Sequence, residues 1–169
     1  MANRQQIESM TPYPATREAM MSRVLALDTG RRTGWAVGQI FGTEKESVED
    51  SGVHELYREG KRVRFRESQR FAALFNWLSE QHAQAPFTAI VFEAIAGGTK
   101  GRQTVLANGY RATILLWAER HGLPCVPLAV TTIKKAITGS GSGRKDGMIQ
   151  ALREKEFVPF DDNEADAIG

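Results

Sequence analysis

Two carboxylates in this sequence end apolar runs in the same way. Asp28 closes "VLALD" and Glu93 closes "AIVFE", and each is followed by a glycine-containing turn, "TGRRT" after the first and "AIAGGTKG" after the second. Short apolar runs bounded by turn residues read as buried strands. Each acid then falls at a strand's carboxyl end, the edge where open α/β sheets place their sites. If the two strands are parallel neighbours, the acids meet, and like charges brought together persist only with a proton or a cation between them. A third acidic group, "DDNEAD" (Asp161 to Asp166), lies near the end of the chain. On a helix, Asp162 and Asn163 share a face with Asp166, whereas Glu164 points roughly opposite. Oxygen ligands with no His or Cys among them select a hard cation, Mg²⁺ or Mn²⁺. Two such ions about 3.5–4 Å apart are what phosphodiester cleavage uses.

A cation pair of this kind works beside a positive surface. The net charge is only +2, but residues 94–150 carry Lys100, Arg102, Arg111, Arg120, Lys134, Lys135, Arg144 and Lys145 against Glu119 and Asp146. That stretch, with "REGKRVRFR" (Arg58 to Arg66) beside it, suits a polyanion. Taken singly, each feature also has a structural use. Asp28 fits an Asx turn, Glu93 a strand end, Asp161 with Glu164 a capping box, "GSGSG" (Gly139 to Gly143) a linker, and the basic run a solvated face. What favours chemistry is the recurrence of acids at element ends around a basic middle.

The elements that position these residues follow from periodicity. "VLALD", "GWAVGQIF" and "SGVHELY" read as three sequential strands, most simply antiparallel. "RFRESQRFAALFNWLSEQ" places Phe71, Leu74, Phe75 and Leu78 at helical spacing, and "FTAIVFE" returns as a strand. A helix between the first sheet strands and that one makes a parallel crossover. A second helix runs from Gln103 to Arg120, followed by strand "PCVPLAV", a short helix near Thr132 to Ile137, and helix "KDGMIQALREKEF". The expected fold is α/β, a mixed five-stranded sheet with three antiparallel strands then two parallel ones, flanked by helices. With 169 residues there is room for one such domain, over 22–169, preceded by a flexible extension over 1–21.

Several classes are disfavoured. The single cysteine, Cys125, allows no internal disulfide, and no Cys/His cluster suggests zinc. No apolar run reaches the length of a membrane span and the first residues lack an export signal, so the expected home is cytoplasm. A P-loop is absent. Trp35, Trp77 and Trp117 are assigned to the core or its edge, and His54, His82 and His121 to structural or solvated positions.

The ordered segments "LALDTGRRTGWAV", "IVFEAIAGG", "TTIKKAITGSGSGRKDGMIQAL" and "DNEADA" resemble the RuvC-like Holliday junction resolvases of bacteria and phages, within the RNase H-like fold, over roughly residues 22 to 169. The resemblance implies a dimeric, Mg²⁺-dependent endonuclease that nicks branched DNA in a bacterial or phage-infected cell. It implies that Asp28, Glu93 and Asp166 bind metal, with Asp162 or Asn163 completing the set, and that Lys134 and Lys145 hold or polarise the scissile phosphate. Arg31, Arg32, Lys100, Arg102, Lys135 and Arg144 are candidate DNA contacts. "TVLANGYRATILLWAER" is more apolar than one buried face needs, and Ala107, Gly109 and Ala112 offer another helix a close approach, although such a helix is more often packed inside its own domain and the dimer is mainly what the resemblance implies.

This chain departs from the family pattern in three places. Asn163 stands where an Asp or His is usual, with Asp162 one residue away as the preferred substitute. Ala94, Ile95 and Ala96 replace an aromatic after the second acid, which suits a broader branched-DNA specificity. The chain stops three residues past Asp166, so the last helix is expected to be barely a turn long, as in a truncated product. The rival classes are a branched-DNA-binding module without catalysis, and an actin-like ATPase-type phosphate-binding domain. The latter needs a second domain to enclose a nucleotide.

Overall fold

The computed structural model describes residues 21–30, 32–41, 45–56, 67–94, 101–139 and 145–154, together with Glu164, Ala167 and Ile168. Strand β1 (Met21–Asp28) pairs antiparallel with β2 (Arg32–Phe41), which pairs antiparallel with β3 (Lys45–Glu55). Helix α1 (Glu67–Gln84) crosses over to β4 (Ala89–Glu93), parallel to β1, and α2 (Arg102–His121) to β5 (Cys125–Leu128), parallel to β4. Helices α3 (Val130–Thr138) and α4 (Lys145–Glu154) follow. The sheet order is β3-β2-β1-β4-β5, the mixed arrangement expected from the sequence.

Two boundaries differ from the sequence reading. β3 begins at Lys45 rather than at Ser51. Its first half, "KESVED", is too polar to signal a strand, yet as an edge strand it is half solvated and is held by its ladder with β2, which absorbs a bulge between Val37 and Gly38. β1 begins at Met21, one residue inside the expected extension, whose remainder lies outside the described residues.

Strand alternation gives the sheet two different faces. Leu25, Leu27, Val37, Ile90 and Phe92 point to one side and are buried with Leu74, Trp77 and Leu78 of α1 and Tyr110, Ile114, Trp117 and Ala118 of α2. The opposite side carries Ala26, Ala36, Val91 and Glu93 and receives Ile133 of α3 with Ala167 and Ile168. Gly122 and Gly139, at φ 65° and 73°, end α2 and α3 in the left-handed conformation that glycine adopts without strain.

The register between β1 and β4 is pinned from outside the ladder. The Arg23 carbonyl accepts from the Thr88 backbone N–H at 2.9 Å, and the Arg23 guanidinium donates to the Ala85 carbonyl and pairs with Glu49 at 2.7 Å. One arginine on β1 thus holds the turn that feeds β4.

The three histidines are structural, as expected. His54 stacks on Trp77 with ring centroids 5.0 Å apart. His121 stacks on Trp117 at 3.9 Å, and His82 meets both Trp117 and His121 edge-on. The Phe87 backbone N–H donates to His82 Nδ1 at 3.0 Å, an acceptor that protonation would remove. Burial holds the imidazoles of His54 and His82 below the ordinary value of 6.5, with the neighbouring His121 adding to the effect at His82. Burial also pushes the Cys125 thiol up to about 11, so it is protonated and unreactive near neutrality.

Gly109, one of the small residues of α2, is used within the domain. A Cβ there would lie 2.0 Å from Cζ of Phe71 on α1, whose ring meets Tyr110 edge-on. Gly109→Ala, which in an open helix gains stability, is therefore expected to lose about 1–3 kcal/mol through overpacking, read as a lower urea midpoint. A second expectation concerns pH. The unfolded chain takes up protons near 6.5 that folded His54 and His82 refuse, so stability is full above that value and is lost as pH falls through it towards the folded values. A thermal scan should show a lower midpoint at about pH 5.5 than at about pH 7.5, as expected for buried imidazoles.

Candidate active site

The printed register of β1 and β4 ends at Leu27 opposite Phe92. The next residue on each strand is an acid, so Asp28 and Glu93 stand side by side at the carboxyl edge of two parallel strands, one strand spacing of about 4.8 Å apart. Both point to the face away from the α1/α2 core, and both are half-buried. Asp28 is flanked on its other side by Gly34 of β2 and Glu93 by Leu128 of β5. The glycine and the leucine add no competing charge. Side by side in this way, two carboxylates favour either a shared proton or a bound cation.

Next to Glu93 is an apolar crevice of 140 Å³, lined by Ala26, Leu27, Val91, Phe92, Leu128, Ile133, Ala167 and Ile168. Glu93 is its one charged wall residue, so the low-dielectric lining strengthens whatever electrostatic interaction its carboxylate makes. Ala167 is 4% exposed, which places the residue following Asp166 against the wall that Glu93 completes. The crevice thus joins the second expected acid to the immediate neighbour of the last.

Asp162, Asn163 and Asp166 lie outside the described residues, as do Arg31, Lys100 and Arg144. Among the described residues no group of three or more His, Cys, Asp and Glu side chains forms a cluster. Asp28 and Glu93 supply carboxylate oxygens only, a donor chemistry that fits Mg²⁺ or Mn²⁺ and not a softer metal. Lys134 and Lys135 sit in α3, which starts one residue after β5 and so rises from the same edge as the two acids; Lys134 is half-buried and Lys135 exposed. Lys145 opens α4, the next described helix after α3.

Two expected DNA contacts already have partners. Arg32 Nε lies 3.9 Å from Glu55 and Arg102 Nε 3.1 Å from Glu67, all on exposed or half-exposed side chains. Arg120, part of the same basic stretch, lies over the Phe75 ring at 5.9 Å. The sequence reading treated these residues as a field of charge; their pairing is tertiary and leaves no local signal. It also missed Ser51, whose hydroxyl donates to the Glu164 carboxylate. Glu164 thus has a partner on β3; Asp161, its expected capping-box partner, lies outside the described residues.

No family profile matches the chain. Over 148 residues it is 30% identical to the crossover junction endodeoxyribonuclease RuvC of Bartonella bacilliformis, covering 85% of this chain and 83% of that protein. Over 147 residues it is 31% identical to the RuvC of Anaeromyxobacter dehalogenans, covering 86% and 76%. Among solved structures it resembles Thermus thermophilus RuvC in complex with Holliday junction substrate, with TM-score 0.73 and 17% identity over 87% of this chain and 88% of that one. The yeast mitochondrial Holliday junction resolvase Ydc2 matches with TM-score 0.63 and 15% identity over 87% and 75%. The mixed five-stranded sheet is thus the RNase H-like fold.

The apposed acids give a signed expectation. Added Mg²⁺ should stabilise the parent protein more than Glu93→Gln, which lacks one of the two carboxylates, in a thermal shift series.

Proposed function

The chain is a member of the RuvC family of crossover junction endodeoxyribonucleases, and from that premise we propose that it is a Mg²⁺-dependent endonuclease that cuts branched DNA such as Holliday junctions. The observation that carries this reading is the parallel register that brings Asp28 beside Glu93 at the sheet's carboxyl edge. Asp28 and Glu93 hold the cation, with Asp166 and either Asp162 or Asn163 completing the ligands. A divalent ion there, Mg²⁺ or Mn²⁺, supplies Lewis-acid polarisation of the phosphodiester and a more acidic water. The carboxylates would hold the ion at the sheet edge, and the apolar lining beside Glu93 would limit the access of bulk solvent. Lys134 and Lys145 act as point charges on the phosphate oxygens. Arg31, Arg32, Lys100, Arg102, Lys135 and Arg144 contact the backbone on either side, setting orientation rather than sequence preference.

The active species is proposed to be a homodimer, since symmetric nicking of a four-way junction needs two sites. Its support is the outer face of α2, where Val105 and Leu116 are more than half exposed, Leu115 is also exposed, and Ala112 lies between them. Gly109 lies on the same stripe, four residues from Val105 and three from Ala112, but the Phe71 ring covers it within the domain. Among the described residues no helix is long and apolar enough to cross a membrane. The cytoplasm of a bacterial or phage-infected cell, where branched DNA arises, is the proposed site of action.

The reading is tested with a synthetic four-way junction, a three-way fork and a linear duplex, each with Mg²⁺, Mn²⁺ or EDTA. Metal-dependent nicking of the branched substrates is expected, abolished in Asp28→Asn and Glu93→Gln with junction binding retained. Binding without cutting under either metal would identify a non-catalytic junction-binding module.

A further inference from the structure

We infer that Ser51 is a positioning residue for the metal site: through Glu164 it fixes where the C-terminal acidic segment lies on the sheet. This rests on the nuclease reading for its functional consequence, but the geometry stands by itself. Ser51 Oγ donates to Glu164 Oε1 at 2.5 Å, across 113 residues of sequence. Glu164 is 7% exposed. A buried carboxylate is costly unless hydrogen-bonded, and the Ser51 hydroxyl supplies such a bond. The contact is therefore a directed link between β3 and the C-terminal segment.

The sheet is shaped to receive that segment. Ser51 pairs with Ala36, Ala36 with Ala26, and Ala26 with Val91. Paired residues share a face, so this row runs across β3, β2, β1 and β4 on the side that carries Asp28 and Glu93. Its first three side chains are Ser, Ala and Ala, low enough for another stretch of chain to lie over them. The segment is held at both ends of the row, by Glu164 on Ser51 at the β3 end and by Ala167 and Ile168 over Ala26 and Val91 at the other. Asp166 is bonded directly to Ala167 and sits two residues from Glu164, so docking of its neighbours sets its approach to Asp28 and Glu93.

Glu164 is an anchor and not itself a ligand. Ser51 stands two strand spacings, roughly 10 Å, from β1 and farther still from β4. A carboxylate bonded there is out of reach of an ion held between Asp28 and Glu93, because such ions take oxygens at about 2.0–2.6 Å.

The test is a Mn²⁺ titration of the DNA-free full chain by electron paramagnetic resonance, with junction cleavage, junction binding in EDTA and melting in EDTA measured alongside. Ser51→Ala is expected to weaken Mn²⁺ binding about tenfold, the low end of the effect seen when a supporting group of a metal site is removed. Its cleavage should fall at limiting Mn²⁺ and recover at saturation, with junction affinity unchanged and melting lowered by no more than about 5 °C for the lost hydrogen bond. Glu164→Gln keeps an acceptor oxygen for Ser51 and should match the parent. Parent-like Mn²⁺ binding by Ser51→Ala overturns the inference. So does equal loss in Glu164→Gln, which would make Glu164 a ligand, and so does a joint fall in melting and junction affinity in Ser51→Ala. A parent protein that binds Mn²⁺ but cuts no junction removes the nuclease reading alone, whereas one that does neither overturns both.

Discussion

The rest of this structure depends on one adjacency, that of β1 and β4 aligned in parallel with an acid as the last residue of each. Two like charges at one strand spacing oppose folding in the absence of a counterion, so the remainder of the molecule must hold them there. The buried face of the sheet does this with Leu25, Leu27, Ile90 and Phe92 packed under α1 and α2. A slip of one residue in that ladder would send every one of these side chains to the wrong face. The hydrophobic core and the acidic edge are thus two results of the same register. Arg23 reinforces it by grasping the turn that leads into β4.

The two faces of the sheet have different tasks, visible in side-chain size. The face toward α1 and α2 is built of large apolar groups and aromatic contacts, including the three tryptophans and three histidines that cluster around Trp77 and Trp117. The opposite face is low, with alanines and a serine in its central row, and is covered by α3 and the C-terminal segment. A bulky floor would stabilise an isolated sheet better. The low one leaves the acids reachable from above and lets a late part of the chain be laid beside an early one.

Much of this was legible in the sequence because the signals are local. Apolar runs ending in an acid and a glycine turn located β1 and β4, helical spacing of Phe71, Leu74, Phe75 and Leu78 located α1, and the alternation of helix and strand implied the parallel pairing of Asp28 with Glu93. The start of β3 was not legible, since its polar first half draws its stability from β2 rather than from its own composition. The pairing of Arg32 with Glu55 and Arg102 with Glu67, and of Ser51 with Glu164, left no trace either. Each joins residues whose separation only the folded sheet or helix pair brings to contact distance. Gly109 was legible as a site of close approach, and the helix that meets it there is α1 of the same domain, through Phe71.

The paired arginines at the rim have a consequence for selectivity. On the proposed nuclease reading, moving Arg32 or Arg102 onto a phosphate would first break its contact with Glu55 or Glu67. Such contacts would add less to binding than the same number of lysines facing no carboxylate. Smooth duplex, which offers charge but no special shape, then gains little from them. On that reading, a branch point that presents phosphates from two arms at once would displace both internal partners together, and the pairs would act as a threshold that rewards shape over charge density.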